Sequence, residues 1–172
     1  MPFHFWLPNA MVAPTPVSAL LHAVAVVKAG VFTILKVSVY IFGLDLLSAL
    51  PMTEIVLGVA CFSIVVASLI ALTKDNLKAR LAYSTVSQLS YVTAGAMLAD
   101  GAGAMGAALQ IPMHAVAKMT LFMCAGAIYV ATGKTNISDM RGLGRKMPIV
   151  FTAFLVASLS IIGVPPLGWS WA

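Results

Sequence analysis

Five long apolar stretches, separated by short polar ones, organise this chain. The first runs from Thr15 to Gly43 and is interrupted only by His22, Lys28 and Lys36. The second, Ile55 to Leu72, carries no charge; the third, Leu81 to Ala99, is uncharged and rich in hydroxyls. The fourth spans Ala102 to Ala131 and contains Pro112, His114 and Lys118, and the fifth runs from Met147 to Val164, before Pro165 and Pro166. Each is continuously apolar over roughly the 20 residues a helix needs to cross a bilayer, without the alternation of a barrel strand. The pattern predicts an all-α, polytopic transmembrane helix bundle of about five spanning helices, in which internal Gly and Pro are tolerated.

Composition agrees. Of 172 residues, 61% are hydrophobic and 9% charged, against roughly 25% charged in a soluble domain, so lipid is the expected partner and no large soluble domain fits beside the spans. The net charge of +5 is scattered, with no basic run to bind nucleic acid. It sorts instead by connection. Lys74, Asp75, Lys78 and Arg80 follow the second stretch, and Lys134, Asp139, Arg141, Arg145 and Lys146 follow the fourth; the first and third connections offer Asp45, Glu54 and Asp100. Basic and acidic connections alternate as five crossings require, which predicts a cytoplasmic N-terminus in a bacterial inner membrane. Met1-Pro2 begins no secretory signal. Cys61 and Cys124 lie far apart in apolar stretches with neither redox nor metal spacing, so buried thiols are expected, and no metal or cofactor.

The chemistry lies in the ionisable residues that the spans must carry. Lys or Arg at a helix centre costs about 2.5–3.5 kcal/mol on insertion scales, and such residues usually face a protein interior or a wet cavity. Lys28 and Lys118 fall near mid-span. Lys36, nearer a span end, can lift its ammonium to the interface. Gln110, His114 and Lys118 are spaced one helical turn apart and form a polar stripe, with Pro112 inside it loosening the local hydrogen bonds. In the third stretch Ser84, Ser87, Gln88 and Tyr91 share a face that either lines a hydrated path or ties helices together. His22 and Lys28 are six residues apart, about 120° around the axis, and address different neighbours. Burial disfavours the charged form of a lysine and a carboxylate or water restores it, so small rearrangements load and unload such a side chain, and histidine suits intermediate steps. The pattern points to a proton relay without catalytic chemistry of its own. A haem carrier using His22 and His114 is a further class, disfavoured by the adjacent cations.

Several segments are similar to one membrane family. FHFWLPNAMVAPTPVSALLHAVAVVKAGVF (Phe3 to Phe32) resembles the signature of the antiporter-like subunits shared by Mrp-type cation/proton antiporters and respiratory complex I. DNLKARLAYSTVSQLSY, the HAVAK of a broken or kinked helix, GLGRKMP and IIGVPP follow in the family's order. The resemblance implies that residues 1–172 are a partial proton-translocating antiporter-like domain, truncated at both ends, with Lys28, Lys78, His114 and Lys118 at relay positions, His22 a further polar member and Lys78 on the cytoplasmic side. The family places a Glu and a Lys before the PFHFWLP block and another lysine beyond the Pro-Pro, where this chain reads LGWSWA. It often has His where Gln110 stands. VVKAGVF, with Lys28, looks like the D-type group of Mrp antiporter subunits, which implies a subunit of a monovalent cation (Na+)/proton antiporter working with other subunits. The alternative is a proton-pumping subunit of NADH-quinone oxidoreductase (complex I) or a membrane hydrogenase, with redox chemistry on other subunits.

Overall fold

The computed structural model describes residues 6–9 and 13–165, apart from the side chains of residues 6, 8 and 22–24. Part of the N-terminal signature block and the closing LGWSWA lie outside the described residues. Within them the chain is helical and holds no strand, only an isolated bridge between Asn76 and Asn136. The all-α expectation is met.

Each of the five apolar stretches is helical. After a short helix α1 (Trp6–Asn9), the first stretch is α2 (Thr15–Ala19), a π-helical turn (Leu20–Ala25), α3 (Val26–Lys36) and a second π-helical turn (Val37–Phe42), ended by Gly43 at φ 78°. A short α4 (Leu44–Ala49) leads to α5 (Pro51–Thr73), which opens on a proline whose fixed φ suits a first helical turn. Next come α6 (Leu77–Met97) and α7 (Gly101–Thr132); a 3₁₀ turn (Ile137–Met140) and α8 (Leu143–Lys146) precede α9 (Pro148–Ile162). By length and composition α5 and α7 are apolar enough to cross a membrane, and α9 is a shorter apolar helix. α6 begins one turn earlier than the apolar pattern implies, because Asn76 caps it by accepting from the Ala79 N–H at 3.2 Å. That brings Lys78 and Arg80 into its first turns. α7 runs as one helix with Pro112 inside it, so the broken or kinked helix that the resemblance implied is not broken. The ring removes the donor to the carbonyl four residues back and crowds that carbonyl, a local disturbance within one continuous helix.

α6 is the centre of the bundle, with buried residues on every side, from Leu81 and Ala82 to Val86, Leu89 and Val92. α5 packs on it through a stripe of small residues, Thr53, Ala60, Ser63, Ala67 and Ala71, leaving Ile55, Phe62, Val65 and Leu69 outward. Cys61 sits on that outward face. The expectation of a buried thiol is therefore corrected for Cys61, which is exposed, while Cys124 is buried. On the other side α7 meets α6 closely enough that a Cβ on Gly103 would stand 2.8 Å from the Gly95 carbonyl oxygen. Leu81, Ala82, Leu121, Phe122, Ala125 and Ala157 fill the space where α6, α7 and α9 converge.

The two basic connections meet at one end of the bundle. The Leu77 N–H donates to the Thr135 carbonyl at 3.0 Å, the Ile137 N–H to the Asp75 carbonyl at 2.9 Å, and Ser138 donates to the Asp75 carboxylate from its N–H at 3.1 Å and its hydroxyl at 2.6 Å. This juxtaposition is what alternating crossings require. With both native cysteines replaced, single cysteines at Lys74 and Arg141, both exposed, are expected to react with an impermeant maleimide from one side of the membrane, and one at the exposed Ser48 from the other. Labelling of Lys74 and Ser48 from the same side would remove one crossing.

Asp75 supplies a pH prediction for this clasp. The Ser138 hydroxyl and N–H, donating to its carboxylate, hold Asp75 below the usual carboxylate range, with the Arg80 charge adding to the effect. A depressed folded value means the contribution is complete above the unfolded value, about 3.9, and is lost as pH falls through the lower folded value. Hydrogen exchange at the Ser138 amide is therefore expected to show protection that persists from pH 7 down to the ordinary carboxylate range. Asp75→Ala is expected to lose that protection at every pH.

Candidate functional site

The α7 stripe faces inward. Gln110, His114 and Lys118 are all buried, and they continue into Ala107, Leu121, Ala125 and Ile128 on the same face. His114 and Lys118 are each 1% exposed, which places a titratable imidazole and a primary amine in the middle of the packing. Lys28 of α3, 6% exposed, reaches across and hydrogen-bonds the Nδ1 of His114. One of these two nitrogens must present a lone pair to the other, so the contact holds a single proton between an amine and an imidazole. Lys118, one turn further along α7, donates from Nζ to the Leu81 carbonyl at 3.1 Å and to the Ser84 hydroxyl, both on α6.

Other expected members are placed unevenly. Gln110 donates from Nε2 to Gln88 Oε1 at 3.2 Å, a second link between α6 and α7 one turn from His114. Ser87 turns towards α5, where its hydroxyl bonds Ser68 at 2.8 Å and donates to the Ile64 carbonyl at 3.2 Å. It ties helices together. Tyr91 is 48% exposed. The face read as one stripe thus divides, Ser84 and Gln88 towards α7 and Ser87 towards α5. The side chain of His22 lies outside the described residues. Lys36 is exposed over the Phe32 ring, 5.8 Å from its centroid.

Lys78 stands apart from the buried cluster, at the clasped end of the bundle. Its ammonium lies over the Tyr129 ring, 5.6 Å from the centroid, and it lines a cleft of about 1090 Å³ with Asn76, Thr15, Tyr129 and Thr135. It precedes Leu81, whose carbonyl holds Lys118, by three residues, or about 4.5 Å along the helix axis. Arg80 is engaged elsewhere: its guanidinium donates to the Ala71, Leu72 and Lys74 carbonyls and closes the C-terminal end of α5. That cap went unread in the sequence. An arginine a few residues beyond an apolar run was its only signal.

All five acidic side chains, Asp45, Glu54, Asp75, Asp100 and Asp139, are exposed. The acidic side chains thus lie at the surface, while the nitrogens of Lys28, His114 and Lys118 are buried. Lys28 and Lys118 both act electrostatically on His114. Three simultaneous positive charges in so dry a place repel one another and lose their hydration. A cluster of this kind can hold protons at its nitrogens and pass them along α7.

Comparison with known proteins identifies the family. The profile of the family described as NADH:quinone oxidoreductase/Mrp antiporter, TM, matches residues 1–171. The chain belongs to this family. Among curated members of the antiporter family, the chloroplast NAD(P)H-quinone oxidoreductase subunit 5 of Draba nemorosa is 37% identical over 99% of this chain and 23% of its own length. NAD(P)H-quinone oxidoreductase chain 5 of a Synechocystis species is 37% identical over 99% of this chain and 25% of its own. Among solved structures, a chain of the Mrp complex from a Dietzia species superposes with a TM-score of 0.85 at 35% identity, covering 96% of this chain and 18% of that one. A chain of the membrane-bound sulfane sulfur reductase, an archaeal respiratory membrane complex, gives 0.86 at 27%, covering 99% and 35%. This chain is thus an antiporter-like membrane segment of the Mrp and complex I family, and it spans about a quarter of the length of the curated relatives it matches.

Proposed function

We propose that this chain forms the middle of a proton path in an antiporter-like subunit of an NAD(P)H-quinone oxidoreductase-type complex, with redox chemistry on partner subunits. The observation that carries the proton path is the buried cluster in which Lys28 bonds His114 and Lys118 follows one turn away. Lys28, His114 and Lys118 exchange the proton, Lys78 stands at the clasped end where protons enter, and His22 is a further member. Gln110 with Gln88 and Ser84 line the path. Ser87 and Tyr91 lie at its margins, beside α5 and at the outer surface.

The oxidoreductase setting is supported by the subunit 5 relatives, each matched over 99% of this chain. It moves the balance away from the D-type Mrp group suggested by VVKAGVF. The Mrp reading keeps one specific support, the Dietzia chain at 35% identity, and it would couple protons to Na+ in a bacterial inner membrane with the basic loops cytoplasmic. The experiment that separates the two uses inverted membrane vesicles carrying the complete complex and a pH-sensitive dye. Acidification driven by NAD(P)H or another reductant of quinone, without added Na+, is expected. Acidification that needs a Na+ gradient and ignores reductant would move the assignment to the antiporter.

A further inference from the structure

We infer that Ser84 is the positioning residue of Lys118, and that its hydroxyl, with the Leu81 carbonyl, forms an oxygen cradle on α6 that sets how strongly Lys118 holds its proton. The inference rests on the reading of Lys118 as a proton carrier and adds the group that tunes it.

A serine bonded to the carbonyl three residues back is ordinary in a helix, where it usually hides a hydroxyl in an apolar setting. Here the Leu81 carbonyl accepts from the Ser84 hydroxyl at 2.9 Å, from the Thr85 hydroxyl at 2.8 Å and from Lys118 Nζ at 3.1 Å. With its hydrogen committed to Leu81, the Ser84 oxygen has only lone pairs to offer, and Lys118 Nζ lies against it. Carbonyl and hydroxyl together accept two of the three ammonium hydrogens. When Lys118 is an amine, its nitrogen presents a lone pair, and the Ser84 hydrogen can turn from Leu81 to donate to it. The same hydroxyl serves both protonation states, but it holds the ammonium more strongly, because that hydrogen bond is charge-assisted. Thr85 cannot replace it, since its hydroxyl is fully buried against Leu81.

The titratable groups on the elements around Lys118 are few among the described residues. On α7 His114 stands one turn away, and from α3 comes Lys28, bonded to His114. The π-helical turn Leu20–Ala25, which also packs on α7, contains His22, whose side chain lies outside the described residues, and on α6 Lys78 is held over the Tyr129 ring. α2 and α9, which also pack on α7, contain no titratable side chain. On α6, Arg80 is held by the α5 carbonyls and Tyr83 lies under Lys74. The cradle is the polar contact that Lys118 makes across the helix interface.

The test is the pH profile of proton translocation by the complete complex in vesicles, for the wild type, Ser84→Ala, Ser84→Thr and Lys118→Ala, with assembly checked on a native gel. An ammonium that loses one acceptor gives up its proton at lower pH, so Ser84→Ala is expected to move the alkaline limb to lower pH by about one unit. Ser84→Thr keeps the hydroxyl and is expected to restore the wild-type profile. A merely structural serine would alter the rate or the yield and leave the limb in place. An unchanged limb in Ser84→Ala beside an inactive Lys118→Ala overturns the assignment of Ser84 and leaves that of Lys118 standing. Equal shifts in the alanine and threonine variants overturn it too, because packing would then be the cause. Full translocation by Lys118→Ala overturns both.

Discussion

Lys118→Ala is expected to abolish proton translocation while the complex still assembles. The side chain is 1% exposed and its ammonium is cradled by the Leu81 carbonyl and Ser84 hydroxyl, so no water-exposed group can take its place. Losing a positioned proton donor and acceptor generally costs about 10²- to 10⁴-fold, and here the loss also breaks a chain of nitrogens with no parallel branch among the described residues. Assembly is expected to survive because Leu81 keeps the Ser84 and Thr85 hydroxyls as donors, so no buried carbonyl is stranded. Vesicle acidification and a native gel read the two halves separately. Substantial acidification by the assembled variant would show that protons travel elsewhere.

His114 carries the second large effect. It is the contact that joins Lys28 on α3 to the α7 stripe. His114→Ala is expected to slow translocation by about two orders of magnitude and to destabilise the bundle by about 1–3 kcal/mol, the usual cost of stranding a buried polar partner. His114→Gln separates the two effects. Its amide can bond Lys28 but cannot take up a proton at neutral pH, so it is expected to recover the thermal stability and none of the rate. A glutamine variant that translocates at the wild-type rate would reduce His114 to a strut.

Much of the fold was legible because burial in a bilayer writes long apolar runs into the sequence. The five runs match five helical stretches, and the charges between them foretold which loops share an end, as the Asp75–Ser138 clasp now illustrates. Boundaries were less legible. The start of α6 is set by the Asn76 cap, which charge counting treated as loop. The fate of Cys61 depended on which face of α5 met α6, and an almost uniformly apolar helix gives no periodicity from which to read it.

In the site, periodicity located the α7 stripe because Gln110, His114 and Lys118 belong to one helix. It could not pair Lys28 with His114, 86 residues away, since that contact depends on how α3 lies against α7. The same limit explains Ser87. It stands about 60° from Ser84 around the axis, and a helix buried on every side uses that difference to address two neighbours. Lys78 was named by resemblance, and it lies in a cleft beside Tyr129, near the start of α6, whereas Gln110 bonds Gln88 further along that helix.

The central claim is that a buried lysine gains and loses a proton in each cycle, and Lys118→Arg tests it most directly. Arginine keeps the positive charge and can still donate to Leu81 and Ser84, but a guanidinium with a pKa above about 12 does not release its proton. The measurement is the number of protons moved per reductant oxidised, or per Na+ exchanged if the antiporter setting holds, in vesicles carrying the assembled Lys118→Arg complex. The account predicts a ratio near zero with the complex intact. A wild-type ratio would mean that Lys118 is a fixed charge, and would contradict the proton path proposed for this chain.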